Sequence, residues 1–463
     1  MKVLLVFPNS PIISEPCCDG FNPVNLMPYE IINTAGSLKQ SFEVKLLDAK
    51  ALGLSREAVQ KETNSFKPEM IVVWSTSYSY LKDIPILEFA KAKGIATVLV
   101  LNPPILTTQV LERFLYIDAI ALDDREFVLK KIASAIEKGK DFSNISGIAF
   151  REQGKAVEKK LTKPHDYSEL PLPAFELAPM DSYVKRDALL ISSRGCPFQC
   201  TFCFWGHSKW RSKKPEQTAD EVELLVNKYG FKSIGFPDQN FTIDKNYVFG
   251  FCDEIEKRGL NFTWHCDSRV ESAQPELLKR MKETGCDRIF YGIEHISDEI
   301  LKNMHKSQDK EEVLRAVKLT QKIGIPVVTP FIIGLPGETK QTLKELKDFI
   351  VELKPWNYNV LFPIPYPGTE LYDQTKKNGW LKVEDKPENY WMSPSYYEPL
   401  MVVPPLTKED LLKARKWLQI FPRVTNPTIF LNTIRDGYAR GGIGKVLQFA
   451  SGAASFFSKK KLN

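Results

Sequence analysis

Three of the chain's eight cysteines fall within eight positions, in RGCPFQCTFCFW at residues 194–205. Their spacing is Cys196-x3-Cys200-x2-Cys203, and three chemistries compete for it. A disulfide would pair two thiols and strand the third. Structural zinc takes four ligands, usually as two pairs; no second pair lies nearby, so His207 would have to be the fourth. A [4Fe-4S] cluster normally takes four thiolates. Held by three, it keeps one iron with an open coordination position, where a reactant can bind. Gly195 and Pro197 open the segment, and glycine lets backbone wrap closely around a ligand. Three metal-free thiols beside such a turn would be an oxidation liability.

The 463 residues that must position this loop are too many for one compact core. Residues 1–150 alternate apolar runs (KVLLVFP, FEVKLLD, MIVVWSTS, ATVLVLNPP, AIAL) with stretches of helical spacing such as KDIPILEFAKAKG. That alternation predicts an α/β, doubly wound, Rossmann-like domain, with ligands at the carboxyl ends of its strands, near Pro8, Asn9, Ser75, Thr76, Ser77, Asn102 and Pro103. Residues 151–184 are proline-rich and aperiodic, an ordered linker. A second alternation over 185–385 has six candidate strands at 188–194, 233–238, 262–269, 288–294, 327–334 and 359–365. Six strand–helix units predict a partial (β/α)6, TIM-like barrel, with its chemistry where the strands end. Residues 386–463 begin in aromatic and proline-rich sequence and end in a mostly helical extension.

The three-cysteine motif, with aromatic Phe202 just before its last cysteine, resembles the radical S-adenosylmethionine (SAM) superfamily. The resemblance spans about residues 185–385. It implies that Cys196, Cys200 and Cys203 bind a [4Fe-4S] cluster whose open iron chelates the amino and carboxylate groups of SAM. An electron from the cluster then splits the sulfonium into methionine and a 5′-deoxyadenosyl radical. The resemblance also implies a cofactor-binding place for Phe202. GFPDQNF (235–241) offers Asp238 to the SAM amine, where relatives often show two acidic residues and this chain has Gln239 second. Glu294, in GIEHISDEILKNMHK (292–306), is expected on the ribose hydroxyls. Gly334 and Gly337, in GLPGET, would let backbone approach the adenine. Arg269 has the planar fork to pair with the SAM carboxylate; a salt bridge inside the barrel is the alternative. His265, His295, Cys252 and Cys286 read as core residues. No residue is singled out for hydrogen abstraction.

The domain order resembles the cobalamin-binding radical SAM family, which includes methyltransferases acting on unactivated carbon. That implies cobalamin as a further cofactor. The chain departs from the pattern where the nucleotide tail would lie: Asn102 and Pro103 replace a Gly-Gly pair, and Asp123-Asp124-Arg125-Glu126 replaces Gly-Glu-x-Glu. Cobalamin, another ligand or none remain open for this domain. The alternatives are a cobalamin-free radical cyclase or rearrangement enzyme, a methylthiotransferase and a non-catalytic iron–sulfur module. A methylthiotransferase needs three more cysteines in its first domain, where only Cys17 and Cys18 stand.

A formal charge of +6 over 463 residues gives no basis for nucleic-acid binding. The start, MKVLLVFPNSPII, reads as a first buried strand, not a signal peptide. Scattered cysteines without a disulfide framework fit a reducing cytoplasm. The expected partners are a small-molecule substrate of hydrophobic or lipid-like character and an electron donor such as flavodoxin or ferredoxin. The tail from Thr425, with Lys459-Lys460-Lys461 near its end, could touch an anionic membrane surface; more often such a segment packs on its own protein. KWRSKKP (209–215) reads as a solvated basic loop or a receiver of an acidic substrate group. Tyr390, Trp391, Tyr396 and Tyr397 line a substrate cavity or belong to the core.

Overall fold

The computed structural model describes residues 1–10, 26–139, 141–184, 187–390 and 397–437, with residues 444, 447 and 450 besides. Cys17, Cys18, Trp391, Tyr396 and Lys459 to Lys461 lie outside the described residues.

In the first sheet β1 (Lys2–Phe7), β2 (Glu43–Asp48), β3 (Met70–Thr76), β4 (Ala96–Asn102) and β5 (Ala119–Ala121) run parallel. β6 (Ile148–Glu152) and β7 (Lys155–Lys159) add an antiparallel hairpin, giving the order β2-β1-β3-β4-β5-β6-β7. KVLLVF and MIVVWST are buried almost end to end because helices cover both faces. Val3 and Leu5 pack with Ile31, Ile32 and Leu129 on one side, and Leu4 and Val6 with Val59, Ile84 and Leu87 on the other. The domain does not stop at residue 150, which lies inside β6. The hairpin carries the sheet to Lys159, and the linker follows, anchored by buried Tyr167, Phe175 and Met180.

The second sheet is β8 (Ala188–Leu189), β11 (Ser233–Phe236), β12 (Thr263–Ser268), β13 (Cys286–Tyr291), β14 (Val327–Ile332) and β15 (Asn357–Leu361); two short strands, β9 (Ser193–Arg194) and β10 (Arg211–Ser212), form a separate ribbon. The order β15-β14-β13-β12-β11-β8 is parallel throughout, so the barrel is the open six-stranded form expected. Its far edge is covered. The helix Lys408–Thr425 lies along β15: Val360 N donates to Gln419 Oε1 at 3.0 Å, and Tyr358 Oη to the Leu418 carbonyl at 2.9 Å.

Candidate active site

The cysteine segment is a hairpin loop closed at its neck. β9 and β10 pair Arg194 with Arg211 and Ser193 with Ser212. Above that stem Cys196 N donates to Ser208 Oγ at 3.1 Å, and Ser208 N to the Cys196 carbonyl at 3.0 Å. Gly195 has φ +90°, and a Cβ there would overlap the Lys209 carbonyl, so a larger residue would part the stem. Two backbone bonds pin the loop's middle: Thr201 N to the Met304 carbonyl at 3.0 Å, and Leu371 N to the Thr201 carbonyl at 2.9 Å.

Cys196 and Cys200 are buried, and Cys203 is half-buried. The thiols sense one another. Burial, with Cys200 and Cys196 adding to it, pushes Cys203 up to about 11. Burial also raises Cys196, while the charges of Arg269 and Lys306 pull it back. A metal would remove those protons outright. Among the described residues no three His, Cys, Asp or Glu side chains are placed to hold a single metal ion, and His207 is exposed. Three thiols on one short loop are a donor set of the kind that a [4Fe-4S] cluster with one open iron takes.

Arg269, just past β12, is buried against this loop. Its Nη1 lies 3.7 Å from Cys200 Sγ, and its guanidinium sits 3.8 Å over the centre of the Phe198 ring. Nε donates to the Glu271 oxygens at 3.1 and 3.2 Å, and Nη2 also bonds Glu271. The bidentate carboxylate expected from SAM is thus Glu271 here, the salt-bridge alternative of the sequence reading. Burial opposes the charge, but Glu271 and the thiol together hold the guanidinium above its ordinary value.

Glu294 follows β13 with a left-handed backbone, φ +66°. Glu294 N donates to the Pro330 carbonyl at 3.2 Å and Ile332 N to the Glu294 carbonyl at 2.7 Å, which fixes the residue against β14. Such a strained non-glycine residue persists where its surroundings over-determine it. Its carboxylate is buried and meets Lys306 Nζ at 3.5 Å. Lys306 is itself buried, a rare state for lysine. It lines a cavity of about 710 Å³ together with Pro197, Phe198 and Gln199 of the cysteine loop. Phe202 packs between Ile300, Met304 and Leu335 on one side and Leu371 and Met401 on the other, wedging the loop in place.

Asp238 stands apart from this group. It is fully buried and accepts from Ser192 N at 3.0 Å, Ser192 Oγ at 2.5 Å and Ser193 Oγ at 2.7 Å. Burial pushes its carboxyl up to about 6. Its neighbour Gln239 reaches the loop instead, accepting from Gly195 N at 3.1 Å. Gly334 and Gly337 have φ +93° and +91°, but their open faces meet Leu411 and Asn303. His295 is core, as expected: Ser297 N donates to Nδ1 at 3.0 Å, and Nε2 faces Glu338 at 3.0 Å. Cys252 and Cys286 are core too.

Other expectations change. KWRSKKP is solvated only in part: Lys209 and Lys214 are exposed, whereas Arg211 binds Asp124 at 2.6 Å, and buried Lys213 bonds Glu221 and, at 2.5 Å, Tyr29. The run is the seam between domains. Tyr390 is core, its hydroxyl on Asp385 at 2.7 Å, whereas Tyr397 is exposed. Sequence reasoning missed Lys306, Glu271 and Phe198. Lys306 ends a stretch already singled out, but no local signal marks a lysine as buried.

Residues 190–350 match the radical SAM superfamily. An uncharacterised methyltransferase of Pyrococcus horikoshii is 28% identical over 425 residues, covering 89% of this chain and 90% of that protein. Among solved structures, the radical SAM methyltransferase TsrM of Kitasatospora setae, with cobalamin and a [4Fe-4S] cluster bound, has a TM-score of 0.74 at 15% identity, over 97% of this chain and 99% of TsrM. The cobalamin-dependent radical SAM enzyme OxsB, with aqua-cobalamin and SAM bound, has a TM-score of 0.66 at 20% identity, over 81% of this chain and 55% of OxsB, so this chain spans about half of OxsB. The fold and the site define a radical SAM enzyme. Residues 190–350 are a radical SAM domain, and the cofactors of that superfamily are a [4Fe-4S] cluster and SAM.

Proposed function

We propose that this enzyme is a cobalamin-dependent methyltransferase acting at an unactivated carbon of a hydrophobic small molecule. One observation carries the reading: Arg194, the residue before the cysteine loop, is held by Glu30 and Glu126 of the first domain, each at 2.9 Å. The carboxyl ends of the first sheet are thereby docked to the loop of the second, as two cofactors sharing one substrate require. Ser77, at the end of β3, supports a ligand there. It is fully buried, and its hydroxyl has no hydrogen-bond partner. Beside it, Ser77 N donates to the Asn102 carbonyl at 3.1 Å, and Asn102 Oδ1 accepts from Arg125 at 3.4 Å, so this crevice is polar where relatives carry glycine.

A cluster and SAM held by these residues would supply radical chemistry for hydrogen abstraction, and cobalamin would supply a methyl group. Cys196, Cys200 and Cys203 hold the cluster. Glu294 holds the ribose hydroxyls, with Lys306 fixing its orientation. Phe202 keeps the loop packed against the barrel. Gly334 and Gly337 shape the turn beside the adenine, and Asp238 steadies the serines that lead into the loop. An aromatic wall at the barrel mouth suits an apolar substrate: Phe204 lies 5.1 Å from Trp205 and 5.9 Å from Tyr366, ring centre to ring centre, and Trp205 is exposed. A flavodoxin or ferredoxin delivers the electron.

The test is anaerobic reconstitution of the full chain with iron, sulfide and hydroxocobalamin, followed by SAM and a reductant. The expected result is 5′-deoxyadenosine, with cobalt retained after gel filtration. Iron without cobalt moves the reading to a cobalamin-free radical enzyme. Among the described residues no helix is long and apolar enough to cross a membrane. Exposed Phe430 and Leu431 favour peripheral contact by the C-terminal tail. Failure to bind anionic liposomes at low salt removes that part.

A further inference from the structure

We propose that Arg269 tunes the reduction potential of the cluster through its hydrogen bond to the Cys200 sulfur, and that Glu271 sets how much of that charge the sulfur feels. The proposal rests on the reading of Cys196, Cys200 and Cys203 as cluster ligands.

The guanidinium has five N–H donors in a rigid plane, and this plane cannot turn. Nε and Nη2 are committed to Glu271, the Phe198 ring covers one face at 3.8 Å, and the residue is 5% exposed. Nη1 is left, and it points at Cys200 Sγ from 3.7 Å. A hydrogen bond from a charged donor is among the stronger kinds. Bonds to the sulfurs and the net charge nearby are what a protein uses to set an iron–sulfur potential. A fixed cation stabilises the reduced cluster, which carries one more negative charge, and so raises its potential. The Glu271 carboxylate sits on the far side of the same guanidinium and offsets part of that effect. Arg269 is therefore a positioning and electrostatic residue; the fork that would clasp the SAM carboxylate is already filled.

Two substitutions should move the potential in opposite directions, which loss of packing would not do. The full chain is reconstituted without oxygen and titrated by electron paramagnetic resonance in the absence of SAM, with iron and sulfide analysis in parallel. Arg269→Gln is expected to shift the midpoint to more negative values and Glu271→Gln to more positive ones. Equilibrium dialysis is expected to show unchanged SAM affinity in both. An unmoved midpoint in both variants overturns the proposal. So does a fall in SAM affinity with the midpoint unmoved, which would return Arg269 to the SAM carboxylate. If Arg269→Gln fails to hold a cluster, Glu271→Gln decides alone: a positive shift supports the proposal and no shift overturns it. A wild-type chain with no iron–sulfide chromophore overturns the cluster reading itself, an outcome distinct from a cluster whose potential does not respond.

Discussion

Arg194 Nη2 stands 2.9 Å from Glu126 Oε1, joining the residue that enters the cysteine loop to a carboxylate that is wholly buried in the other domain. Glu30 grips the same nitrogen at 2.9 Å and also binds Arg125 at 3.1 Å. The cysteine loop and the first domain are thus one electrostatic unit. Glu126→Ala should destabilise the protein by about 3 kcal/mol, the low end for breaking a buried pair, because Glu30 keeps part of the charge compensated. Urea unfolding would read this, and a change under about 0.5 kcal/mol, that of an ordinary surface substitution, would mean the pair does not hold the domains.

Replacing Cys203 by Ala should remove the cluster while leaving the fold. Bound iron is expected to drop to near background with little change in the circular dichroism spectrum. Full iron retention would show that Cys203 is no ligand.

Glu294→Gln should weaken SAM binding without loss of iron. Hydrogen bonds to a charged group contribute about 1.5–3 kcal/mol, so equilibrium dialysis should show affinity lower by about tenfold to a hundredfold. Unaltered affinity would take Glu294 off the ribose.

Asp238 gives a pH dependence. Its folded value of about 6 lies above the ordinary aspartate range, so the folded protein holds this proton more tightly than the unfolded chain. The stability it contributes is complete below the ordinary range and is lost as pH rises through about 6. Relative to Asp238→Asn, the wild type should therefore be more stable at acid pH than at neutral pH by on the order of 3 kcal/mol. Paired denaturation curves at the two pH values measure it; a constant difference would mean that the carboxyl does not titrate in that window.

Gly36, within the helix Tyr29–Leu38, should resist a change that helix propensity favours. Alanine would gain about 1 kcal/mol in a free helix. Here its Cβ would overlap the Leu172 carbonyl of the linker, and overpacking costs about 1–3 kcal/mol. Gly36→Ala should therefore lower the melting temperature, and a rise would show that the linker yields.

Much of this protein is written locally. Unbroken apolar runs such as KVLLVF and MIVVWST marked strands of the first sheet, because strand burial and period are properties of a few consecutive residues. The spacing of Cys196, Cys200 and Cys203 marked the cysteine loop for the same reason, and Gly195 marked its tight entry. What each charged side chain would meet was not written there. Only the folded chain decided that Arg269 faces Cys200 and Glu271, that Asp238 is taken up by Ser192 and Ser193, that Lys306 is buried against Glu294, and that Lys213 lies in a domain seam. A charge finds its partner among groups brought together from distant positions, and its worth depends on the water those groups exclude; neither exists until the strands and helices have packed.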